Sequence, residues 1–120
     1  MKKFLLISIL SVLIVSGCSK NILESDLKHK EKCSVYLKTA QDRIKEENIE
    51  YQGVKTFSHI GTYYSKSKQS CITKYRGRLS GSLDETIYYY NELTGSSLGG
   101  YSKDQEENRM EFEQDLQLVK

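Results

Sequence analysis

The sequence predicts a small α+β domain: an N-terminal helix, a three-stranded antiparallel β-meander and a C-terminal helix. Three observations predict it. Apolar residues recur at helical spacing between residues 33 and 44, and again between 112 and 119. Residues 53–93 are rich in β-branched and aromatic residues, interrupted by polar loops that carry glycine. Nine tyrosines stand against no tryptophan and no proline. The apolar payload is therefore carried by amphipathic rings, which suit a thin sheet with one face partly wet.

Taken in order, Ser19 to Ser25 reads as a polar tether and Asp26 to Asn48 as a helix. Cys33, Leu37, Ala40 and Ile44 form its apolar stripe, and Tyr36 widens it. Ser25 or Asp26 caps the start, and Gly53 punctuates the end. Val54 to Tyr64 reads as the first strand, with Gly61 marking a bulge or break. Ser65 to Ser70 is a polar loop, and Cys71 to Arg76 alternates as the second strand. Asp84 to Leu93 forms the third around Thr86-Ile87-Tyr88-Tyr89-Tyr90, and Tyr63, Tyr75 and Tyr89 are candidate cross-strand partners. Gly95 to Tyr101 reads as a flexible link. Ser102 with Gln105 has the form of a capping box, opening a helix from Lys103 to about Val119. That helix carries six acidic residues and an apolar stripe of Phe112, Leu116 and Val119.

The first eighteen residues, MKKFLLISILSVLIVSGC, have a different logic. Lys2 and Lys3 form a basic start, Phe4 to Val15 an apolar run broken by Ser8 and Ser11, and Ser16-Gly17 a small-residue close. That order is a secretory signal. An uncleaved transmembrane helix would need roughly 20 apolar residues, more than this run supplies. A plain secretory signal would not need a cysteine at its end. Val15-Ser16-Gly17-Cys18 resembles the lipobox of bacterial lipoproteins. The resemblance implies cleavage before Cys18, a diacylglyceryl thioether on its sulfur and acylation of the new amine. The chain then divides into a signal peptide (1–17), a lipidated tether (18–25) and the domain (26–120). Ser19, where aspartate is absent, implies outer-membrane sorting under the rule of enteric lipoproteins, with the domain facing the periplasm.

Charge bounds the partners. Removing residues 1–17 takes Lys2 and Lys3 from the 18 basic residues, leaving 16 against 16 acidic ones. A neutral chain argues against nucleic acid. About 100 residues fit one domain with a modest core. With Cys18 acylated, Cys33 and Cys71 remain, and an even pair in an exported chain implies a disulfide, with free thiols as the alternative.

Residues 51 to 83 contain no acidic side chain, while Lys55, Lys66, Lys68, Lys74, Arg76 and Arg78 lie there among tyrosines. Lys66, Lys68, Lys74, Arg76 and Arg78 are the candidate binding surface for an acidic protein, headgroup or phosphate. A solvated sheet face, its charges discouraging edge pairing, is the competing reading. His29, Cys33, His59 and Cys71 make up a Cys₂His₂ set, but their spacing matches no zinc motif and an oxidising compartment consumes the thiolates. His29 is expected on the solvent side of its helix. No nucleophile-elbow or phosphate-loop motif occurs, and neither histidine neighbours a marked nucleophile. The sequence therefore predicts neither a cofactor nor a metal site nor catalysis.

Tyr64-Ser65-Lys66-Ser67-Lys68-Gln69-Ser70-Cys71 resembles a Tyr-Ser-x5-Cys segment of small uncharacterised bacterial lipoproteins and exported proteins. In those, an upstream helix carries the first cysteine and a later strand ends in aromatic-Asp-x-Leu-Thr. Cys33 fills the helix role here, and Tyr90-Asn91-Glu92-Leu93-Thr94 resembles the later segment, with Asn91 where aspartate is common and Lys66 where proline is common. The group supplies no activity to carry over. The reading reached is a lipid-anchored envelope protein that acts by binding or as a structural accessory. Two other readings compete: an exclusion lipoprotein of a phage or plasmid that blocks an envelope receptor, and an inhibitor of an envelope hydrolase.

Overall fold

The computed structural model describes residues 25–120. The signal segment, Cys18 and all but the last residue of the tether lie outside the described residues. The fold is α+β, but its sheet has five strands rather than three. Residues 25–34 form helix α1 and Leu37–Glu50 helix α2. Strands β1 (Lys55–Ser65), β2 (Ser70–Leu79), β3 (Glu85–Asn91) and β4 (Ser96–Ser102) form an antiparallel meander. A 3-10 turn (Lys103–Gln105) leads into helix α3 (Glu106–Leu116), and β5 (Leu118–Val119) closes the chain. The spatial order is β4-β3-β2-β1-β5.

The single helix expected over 26–48 is two. Ser34 donates its hydroxyl to the Glu31 carbonyl at 2.6 Å, competing with the backbone ladder, and the chain turns at Val35-Tyr36. The break re-aims the stripe: Cys33, Ala40 and Ile44 are buried, but Leu37 is exposed. The expected glycine link 95–101 is β4. Its glycines are used as strand residues, with a register shift beside Tyr89 and Gly99 at φ +124°. The C-terminal helix stops at Leu116, because Gln117 takes a left-handed conformation (φ 50°) and turns Leu118-Val119 into an edge strand on Tyr64-Ser65. The Ser102–Gln105 capping box forms as expected, with the Ser102 N–H donating to Gln105 Oε1 at 3.1 Å.

Strand alternation sorts the core. Cys71, Thr73 and Tyr75 point to one face of β2, and Ile72, Lys74 and Arg76 to the other. Cys33 of α1 and Ile44 of α2 pack on the first face, with Tyr64, Phe57 and Tyr75. Leu116 of α3 packs on the second, with Ile72 and Tyr89. The helices thus cover opposite sides of one sheet. A bulge at Ile60, where the β1–β2 register shifts between His59 and Gly61, lets β1 serve both α1 and α2 on one face. Without the extra residue, Phe57 and Tyr64 would face opposite ways; with it, 57, 59, 62 and 64 share the α1–α2 face. Tyr75 pairs with Tyr88, their rings stacked at 5.3 Å, rather than with Tyr63 or Tyr89.

The Tyr-Ser-x5-Cys segment acquires a physical meaning here. Tyr64 stacks on His29 at 3.9 Å, so His29 faces the sheet rather than solvent. Its flat ring fills the space between α1 and β1 that a solvent-side histidine would leave open. Ser65, fully buried, donates to the terminal α3 carbonyl of Leu116 at 2.5 Å and accepts the Lys68 N–H, closing the hairpin turn. Cys71 is bonded to Cys33, Cα–Cα 5.4 Å. Three successive anchor points therefore fasten α1, α3 and the hairpin together. Asn91 completes the arrangement: its Oδ1 accepts the Ser70 hydroxyl and the Leu93 and Thr94 N–H groups.

Candidate functional site

The five basic residues picked out from the sequence fall in three places. Lys66 and Lys68 occupy the β1–β2 turn, where Lys66 lies 3.8 Å from Asp26 at the start of α1. Lys74 faces α3 and is paired with Glu113 at 2.7 Å, both side chains largely buried. Glu113 is also held by Arg109 at 2.7 Å. Arg76 and Arg78 lie further along the same face, beyond the reach of α3, at 47% and 51% side-chain exposure. At about 3.3 Å per strand residue, Arg78 is roughly 25 Å from the turn that holds Lys68. The sequence saw one acid-free run; the strand divides it between two ends of the molecule.

Arg76 and Arg78 line an open hollow of about 340 Å³ with Thr56 and Ser58 of β1 and Glu85 of β3. Their registers set the geometry: Arg76 pairs with Ser58 and Ile87, Arg78 with Thr56 and Glu85. Glu85 Oε2 lies 3.7 Å from Arg76 Nε, and its other oxygen accepts from Arg78. Two guanidinium groups share one carboxylate, which leaves an excess positive charge beside two hydroxyls. A second hollow on the other side of Glu85 is lined by Ile87, Tyr101, Arg109 and Leu83, a residue 92% exposed. Sequence reading missed Arg109, Tyr101 and Leu83: the return of β4 and α3 brings the first two beside Glu85 and Ile87 of β3, and Leu83 stands in the β2–β3 turn. No local signal marks them.

A partly buried polar chain lies on the other face. Arg43 of α2 donates to both Glu92 oxygens, at 2.6 and 2.8 Å, and its guanidinium carbon stands 3.6 Å from the Tyr90 ring centre. Glu92 also accepts the Thr73 hydroxyl at 2.8 Å, Thr73 meets Thr62 at 2.9 Å, and Thr62 meets His59 Nε2 at 3.1 Å. Burial lowers the His59 pKa, with Glu92 opposing and Arg43 reinforcing the effect. In a Ser-His-Asp arrangement the imidazole stands between hydroxyl and carboxylate. Here two hydroxyls separate them, so the imidazole is not oriented by Glu92 as a general base. The chain reads as a brace between α2 and the sheet. His29 and His59 are engaged separately, by Tyr64 and Thr62, and the two cysteines by each other.

No protein-family model, curated protein or solved structure matches this chain. No described helix is long and apolar enough to cross a membrane.

Proposed function

We propose that the protein is a lipid-anchored protein of the bacterial envelope that works by binding an acidic partner rather than by catalysis. The observation that carries the reading is the hollow around Arg76 and Arg78: two half-exposed guanidinium groups with one carboxylate between them, on a stretch of sheet that no helix covers. Arginine forks suit planar carboxylates and phosphates. Leu79 and Leu83, both exposed at the neighbouring turn, add apolar contact area beside the charge. The buried Cys33–Cys71 bond suits an oxidising, exported setting. The hollow also lies at the end of β2 remote from the Lys66–Asp26 contact, where the chain enters the domain. A domain tethered through Cys18 would carry it away from its own membrane, towards a partner.

Two results are expected. Cys18→Ala protein loses its acyl label and its lipoprotein processing, since stable anchoring takes more than one acyl signal. A variant still acylated and membrane-bound would refute the anchor. In intact envelopes, crosslinking through the wild-type protein captures a partner that is released by added salt, as screening of exposed charges requires. Arg76→Glu with Arg78→Glu loses that partner, whereas Lys66→Glu keeps it. Capture that is indifferent to salt and to both arginine changes would leave a solvated face and no binding site.

A further inference from the structure

The face of the sheet that carries α2 has a second groove, past the C-terminal end of that helix. Glu47, Glu50 and Tyr51 form one side, Lys55 and Tyr88 the other, and Ser97 of β4 the far rim, around about 350 Å³. That volume falls at the lower end of the roughly 300–1,000 Å³ typical of small-molecule sites. Glycines let its tyrosine wall lie flat on the sheet. Tyr88 lies across the bare backbone of Gly77 on β2 and Gly100 on β4, and a Cβ at either would stand 2.8 Å from the ring. On this face β4 offers only Ser97, Gly100 and Ser102 opposite Tyr90, Tyr88 and Thr86, so nothing bulky fills the space beside the tyrosine wall.

The surrounding chemistry narrows the ligand. Lys55 donates to the Tyr88 phenol oxygen, and its ammonium stands 4.6 Å from the Tyr88 ring centre and 5.4 Å from that of Phe57. The Tyr88 and Phe57 faces are thus taken by the chain's own amine, whose charge offsets one of the two carboxylates across the groove. Glu47 and Glu50 repel an anion. A wholly apolar guest would strip both carboxylates of water and return no hydrogen bond. A neutral ring with hydroxyls on its edge and C–H groups on its face satisfies every wall. The carboxylates accept from hydroxyls, Lys55 and Ser97 donate, and Tyr51, 44% exposed, offers an aromatic ring to the C–H face. Burial pushes the Glu47 carboxyl above its usual range, against the pull of Arg43, so a hydroxyl donor there replaces solvation already lost.

We propose that this groove binds a neutral hexopyranose unit of a glycan. The inference rests on reading the protein as a binding module, but on neither the arginine hollow nor the lipid anchor. The test presents the full-length protein, in a sugar-free detergent, with chitotriose bearing N-acetyl groups and separately with cellotriose. Binding is read by saturation-transfer NMR. Saturation is expected to reach the ring protons of at least one trisaccharide. The acetylated sugar alone would assign an amino-sugar polymer, and cellotriose a hexose in general. Tyr51→Ala weakens binding about tenfold, the size of one lost aromatic contact. Glu50→Gln weakens it without removing a ring, and so tests the site even if Tyr51→Ala unfolds. Arg76→Glu leaves sugar binding intact, which separates this site from the acidic-partner site. Transfer to neither sugar, or transfer undiminished by the Tyr51 and Glu50 changes, would overturn the proposal.

Discussion

Cys33→Ser and Cys71→Ser should each destabilise the domain by about 4 kcal/mol, the chain-entropy value for the loop these residues close, which spans 38 positions. That is a large share of the roughly 5–15 kcal/mol that holds a domain together. The loss has a second source. Both positions are buried, so a serine hydroxyl there has neither water nor a partner built for it. The double mutant should cost little more than either single one, because the first change already opens the loop. Denaturant unfolding of the three variants, with and without reductant on the wild type, measures this. If reduction left wild-type stability unchanged, the bond would not be what fastens α1 to β2.

Removing one member of the Arg43–Glu92 pair should cost nearly as much, about 3–5 kcal/mol, because Glu92 is only 2% exposed and would keep an uncompensated buried charge. Arg43→Met therefore destabilises strongly, and adds the loss of a cation stacked on Tyr90. Replacing both together, Arg43→Met with Glu92→Leu, should cost much less than the sum of the single changes, since no orphan charge remains. A double-mutant cycle by urea unfolding decides the point. Strictly additive costs would show that the two groups do not interact across the α2–sheet boundary.

What was legible in the sequence is what depends on near neighbours. The stripe of Ala40 and Ile44 follows from helical periodicity and buries as expected. The capping box at Ser102–Gln105 is a local hydrogen-bond pattern within four residues. The first three strands carry their β-branched and aromatic residues openly, and Gly61 correctly marked the neighbourhood of the bulge. With Cys18 set aside on its resemblance to a lipobox, the other two cysteines named the Cys33–Cys71 pair, which is bonded.

The remainder needed the tertiary structure, for a common reason. β4 has the composition of a linker, Ser-Ser-Leu-Gly-Gly-Tyr-Ser, and is a strand because β3 offers it a ladder. β5 is two residues long and exists only where Ser65 and Lys66 reach the end of α3. Neither strand has enough intrinsic preference to be seen without its partner. His29 looked solvent-facing because the position of Tyr64 is not encoded in the helix that carries it.

By itself, the sequence determined the α+β class and the presence of a concentrated set of cations, because composition and period are properties of the chain. Only the tertiary structure decided which of those cations act together. Lys74 and Arg76 are two residues apart on one face of one strand, yet α3 covers the first with Glu113 and leaves the second open. The difference lies in which part of the sheet a helix from the far end of the chain covers, a long-range packing outcome that no local pattern records.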